Sequence, residues 1–165
     1  MILTILNLII VSTLLWVPLF FYGRKTKRMI DFYFRMGCSP NFRKLFGYVL
    51  AFMVLVFHAT YPGIVKGDFG TFVSSAFAFS LICPRWTVGL LEGIRGSRFV
   101  VAFLAVMAVA MLMAPGMYSL GITLCFVLVA SIFYPSPKMA EYIDGSPYHQ
   151  SFDEMARDVV KHYFA

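Results

Sequence analysis

From Phe99 to Tyr134 the chain runs 36 residues without a charged side chain, and Ile2 to Tyr22 forms a second uncharged apolar run. A hydrocarbon core of roughly 30 Å is crossed by about 20 apolar residues. The longer run is therefore too long for one straight crossing. Pro115-Gly116 near its middle marks a turn, which divides it into 99–114 and 117–134, folded as a tight hairpin. Composition points the same way: 60% of the residues are hydrophobic and 13% charged, with mean hydropathy +0.78. Soluble domains carry roughly 45–50% apolar and about 25% charged residues. A water-soluble fold of this length would lack the polar side chains to cover itself, and disorder needs the opposite composition. The expected fold class is an all-α integral membrane protein.

Five hydrophobic segments are expected. The first, 2–22, is read as a retained span and not a signal peptide. It has no positive n-region, and Gly23 is followed by Arg24, Lys25, Lys27 and Arg28, which reads as a stop and not as a cleavage site. The second covers 45–65 and ends at the short turn Lys66-Gly67-Asp68. The third, 69–84, reaches about 24 Å at 1.5 Å per residue, which spans only with thinning or snorkelling. Pro84 and Arg85 interrupt it. Segments 99–114 and 117–134 complete a bundle of about five transmembrane helices, and residues 135–165 form a tail.

The basic residues set the orientation. With the amino terminus outside, the 24–44 loop brings seven Lys/Arg to the cytoplasm. Arg85, Arg95 and Arg98 follow in the 85–98 connection, and Lys138, Arg157 and Lys161 in the tail. Only Lys66 stays outside. Thirteen against one satisfies the positive-inside rule, whereas a re-entrant third segment would leave seven on each side. Short loops and this bias point to a bacterial inner membrane with a cytoplasmic carboxy terminus. The 24–44 loop mixes bases with Met29, Ile30, Phe32, Tyr33, Phe34 and Met36, which reads as an interfacial helix on anionic headgroups and not as a nucleic-acid site.

Chemistry-bearing groups are sparse. No Asp or Glu falls inside a segment, which argues against an ion-coupled carrier acting alone. His58 and Arg85 are the candidate intramembrane polar residues. His58 is read as a hydrogen bond to a neighbouring helix, because no carboxylate partner lies at its depth. Arg85 is read as an interfacial anchor. Met107, Met111, Met113 and Met117 near Pro115 would suit Cu(I), but their spacing closes no ligand set and methionine fills gaps between packed helices. Cys38, Cys83 and Cys125 give neither a disulfide framework nor a zinc pattern. No nucleophile–base set, HExxH or glycine-rich phosphate loop is visible. No catalytic, cofactor or metal residue is assigned.

Two features point to partners. Small residues recur in the third segment (Ser74, Ser75, Ala76, Ala78, Ser80) and the fourth (Ala102, Ala105, Ala108, Ala110, Ala114), which lets helices approach closely. In the tail, Ser151 and Glu154 have capping-box spacing. Phe152, Met155, Val159 and Tyr163 then recur at helical spacing, giving an amphipathic helix over about 152–164 suited to docking on protein. The expected function is non-enzymatic: an accessory subunit, or an immunity or exclusion-type factor, that contacts another membrane protein or a second copy within the bilayer. A small oligomeric channel or membrane-perturbing effector is one alternative. A membrane enzyme or metal carrier using His58, Cys83 and the methionines is the other.

Overall fold

The structure, a computed structural model, describes residues 2–22, 26–61, 67–136 and 139, of which 2–4 and 14 by backbone alone. It is all-helical; no strand occurs among the described residues. The helices are α1 (Ile2–Phe21), α2 (Lys27–Cys38), α3 (Pro40–Thr60), α4 (Gly70–Ser80), α5 (Pro84–Gly96), α6 (Arg98–Met113) and α7 (Tyr118–Ile132).

Two serines make the sharpest joints. Ser39 ends α2 and opens α3: in extended conformation, its Oγ accepts the Phe42 N–H at 3.3 Å, and Pro40 takes a first-turn position that needs no N–H. Ser97 does the same between α5 and α6, accepting the Val100 N–H at 3.4 Å. At the opposite end of α6, Gly116 adopts φ +75°, a left-handed conformation that favours glycine, and the chain returns as α7. A Cβ on Gly121 would stand 2.9 Å from Leu112 Cγ and 3.0 Å from the Leu112 amide nitrogen, so α6 and α7 pack backbone to backbone.

The third segment departs from expectation. In place of one helix over 69–84, α4 stops at Ser80 after 11 residues, about 16 Å at 1.5 Å per residue. Pro84 opens α5, which turns away from α4 by 108°. The break leaves the Leu81 carbonyl without its helical donor, and the buried Thr87 hydroxyl donates to it at 2.7 Å. The 85–98 connection is thus largely helix. Among the described helices, α3 is long and apolar enough to cross a membrane; α4 and α5 meet that test only together, across their bend. α6 and α7 are apolar but have 16 and 15 residues.

Contacts between helices define two ends. At one, Asn7 of α1 donates to Thr60 of α3 at 3.0 Å, and the Gly70 N–H that starts α4 donates to the Gly116 carbonyl at 2.8 Å. At the other, the Tyr22 and Phe32 rings lie against Phe133, 5.7 and 6.3 Å between centroids, and Arg43 faces Glu92. Hence α1, α3, α4, α6 and α7 alternate in direction.

The core is mostly apolar but holds several polar side chains, and large apolar side chains crowd the outer surface. Asn7, His58, Ser74, Thr87, Ser119, Thr123 and Ser131 are buried beside Leu50, Val54, Phe57 and Phe126. Outward stand Trp16 (72% exposed), Phe72 (83%) and Met113 (83%), with Phe52, Phe79 and Val106. Soluble monomers rarely expose contiguous apolar patches beyond a few hundred Å².

Candidate functional site

The polar side chains gather at the end where α3, α4 and α7 meet. Gly67 (φ +99°) turns the chain so that Asp68 enters this junction. Asp68 Oδ2 accepts the Tyr61 hydroxyl at 2.6 Å and the Ser119 N–H at 3.0 Å. Ser119 lies in the first turn of α7, where amide hydrogens lack intrahelical partners. A carboxylate from a distant loop therefore caps that helix and complements its dipole. Gly70 makes this approach possible, since a Cβ there would lie 2.8 Å from Asp68 Oδ1 and 3.0 Å from the Met117 backbone. Burial pushes the Asp68 carboxyl up, but the hydrogen bonds from Tyr61 and Ser119 outweigh it and hold the group below the usual carboxylate range. Tyr61 is itself fixed by stacking on Phe57 and Tyr118, with centroids 5.3 and 5.6 Å away.

One turn deeper lies His58. Its Nδ1 is 2.8 Å from the Val54 carbonyl, which can only accept, so the proton is assigned to Nδ1. Its Nε2 lies 2.7 Å from the Ser74 hydroxyl of α4, which also donates to the Thr71 carbonyl at 3.2 Å. Thr71 Oγ1 donates to Ser119 Oγ at 3.3 Å, which links α4 to α7. The Ser74–His58 pair has the separation of a nucleophile and its base. Ser74 is wholly buried and His58 is 8% exposed, so neither is open to a substrate. What this arrangement does is tie α3, α4 and α7 together.

Neither Asp68 nor Ser74 stood out in the sequence as a site residue. The one available signal was an acid flanked by Gly67 and Gly70 between two apolar runs. Arg85 is exposed in the first turn of α5, away from this junction. Glu92, which the sequence sets beside Arg95, instead pairs with Arg43 at 3.6 Å and accepts from Tyr134 at 3.5 Å. Both side chains of that ion pair are partly exposed, so it contributes about 0–1 kcal/mol. Partial burial raises the Cys38 pKa and Arg43 opposes this only in part, which leaves no activated thiolate there. Cys83 is exposed, Cys125 half-buried, and Met113 and Met117 are exposed. Among the described residues no three of His, Cys, Asp and Glu gather as a metal site. The tail residues Phe152, Met155, Val159 and Tyr163 lie outside the described residues. The chain matches no family model, no curated protein and no solved structure.

Proposed function

We propose that the chain is a five-span membrane protein, with its amino terminus outside and its tail in the bacterial cytoplasm, that works without catalysis by contacting another membrane protein or a second copy. The observation that carries this reading is the apolar outer surface, with Trp16, Phe72, Phe79 and Met113 outside while Ser74, His58, Ser119 and Thr123 lie within the core. Hydrocarbon is the solvent that suits such a surface, and the buried His58, Ser74, Ser119 and Thr123 find partners within the bundle. The hydrogen bonds of His58, Asp68, Ser74 and Ser119 are spent on joining helices, which leaves them unsuited to turnover. α6 supports a partner, since Ala102, Ala105 and Ala110 are exposed and Ala108 is its one buried residue. Small side chains on an outer helix admit a second helix closely.

Cross-linking in native membranes followed by mild-detergent purification tests the reading. A stoichiometric membrane partner or dimer is the expected product. Met155→Asp or Val159→Asp in the tail is expected to weaken that association severalfold with insertion unchanged, and Asp158→Ala to leave it intact. A monomer that causes ion leak on expression would favour the channel alternative. Co-purifying metal would favour the carrier.

A further inference from the structure

At the end of the bundle opposite Asp68, a cavity of about 270 Å³ opens between α1, α2, α3 and α7, lined by Phe21, Met29, Phe32 and Phe126 among other apolar residues. A second apolar groove of about 520 Å³ runs between α1 and α3 past Ile9 and Phe52. Val49 and Met53 line both, so the two adjoin along α3 and together make one apolar track beside α1. From Ile9 to Phe21 along α1 that path covers about 18 Å, close to the roughly 15 Å of one hydrocarbon leaflet. Its inner end meets the first turn of α2, where Lys27 and Arg28 are exposed two and one residues before Met29. The cap of that helix, Thr26, makes no side-chain hydrogen bond to it, so an arriving anion meets the amino end of α2 beside two exposed cations.

We propose that this path is a binding site for one acyl chain of an anionic glycerophospholipid from the leaflet at that end, with the phosphate held by Lys27, Arg28 and the amino end of α2. The lining, apolar but for Thr13, selects alkyl over any polar ligand, the length selects a chain of bilayer size, and the charge at the mouth selects an anionic head. This inference rests on the membrane reading above and is independent of the partner reading.

The full-length protein, reconstituted in vesicles of equal phosphatidylglycerol and phosphatidylcholine and extracted in mild detergent, is expected to retain one phospholipid per chain, enriched in phosphatidylglycerol. Met53→Trp or Val129→Trp fills the path and is expected to abolish retention, whereas Val106→Trp on the outer face of α6 is expected to leave it unchanged. Lys27→Gln and Arg28→Gln, both on exposed positions, are each expected to lower the phosphatidylglycerol preference about fivefold without loss of fold. Retention of both lipids alike, a preference unmoved by the charge variants, or free fatty acid as the retained species would overturn the site. Recovery of the chain in carbonate-washed membranes separates the two readings: protein found there without retained phospholipid refutes the site alone, and protein absent from those membranes refutes the bilayer placement first.

Discussion

Asp68 has partners seven residues behind it and 51 ahead, and it lies in the turn between α3 and α4, where no helical spacing points to either. This is why its role was not legible: a lone acid in a turn reads as solvated, and only the fold brings Ser119 to it. His58 was more readable, because a histidine within an apolar helix must find a partner, although the sequence could not name Ser74. Asp68→Asn is expected to cost about 1–2 kcal/mol in detergent unfolding, less than the roughly 1.5–3 kcal/mol of a charged hydrogen bond, since the amide oxygen still accepts. The acid dependence follows from the lowered pKa. The carboxylate's contribution is fully present above the unfolded-chain value of about 4 and is lost as pH falls through the lower folded value. Melting profiles should therefore diverge between the native chain and Asp68→Asn above about pH 4 and converge in stronger acid. At the neighbouring pair, a serine-directed fluorophosphonate is expected not to label Ser74, because that hydroxyl is enclosed. Labelling lost in both Ser74→Ala and His58→Gln would instead establish a catalytic pair.

Helices divide into those whose ends the residues announce and those whose ends only packing decides. Pro115-Gly116 announces a turn, and α6 and α7 flank it within a few residues of the bounds read from the sequence. Gly37 to Asn41 likewise marks the place where Ser39 joins α2 to α3. The end of α4 was hidden. Its apolar run continues through Ile82, and what stops it is a hydroxyl six residues on, Thr87 reaching back to Leu81. Pro84 signals a break without telling whether it ends one helix or starts the next, and here it starts one. The closest helix pair gives the clearest test at this scale. Gly121→Ala places a methyl against Leu112 backbone, so α6 and α7 must separate by a few tenths of an ångström or more. A loss of about 1–3 kcal/mol in thermal unfolding is expected, whereas Gly89→Ala, in open space on α5, should be neutral or slightly stabilising.

The whole molecule has a basic end and an end whose one described acid is Asp68. The basic end carries Lys27, Arg28, Arg35, Lys44, Arg95 and Arg98. That asymmetry was legible from the sequence alone, since it needs only the order of apolar runs and charges. The alternation of helix directions agrees with it. Reporter fusions after Lys44, Gly67, Gly96, Gly116 and Ala165 are expected to read inside, outside, inside, outside, inside. A cytoplasmic signal at Gly116 would contradict five crossings, and a bent, re-entrant α4–α5 pair would show first as an outside signal at Gly96. The capping of α7 by Asp68 also sets a schedule for biogenesis. Synthesis at roughly 5–20 residues per second separates Asp68 from Ser119, 51 positions later, by roughly 3–10 s. Through that interval α3 and α4 wait with the turn at Asp68 unlatched and a carboxylate facing no donor from α7. Closure of that end therefore waits for α7, and a nascent chain halted before Ser119 is expected to be more open to proteolysis than the finished one.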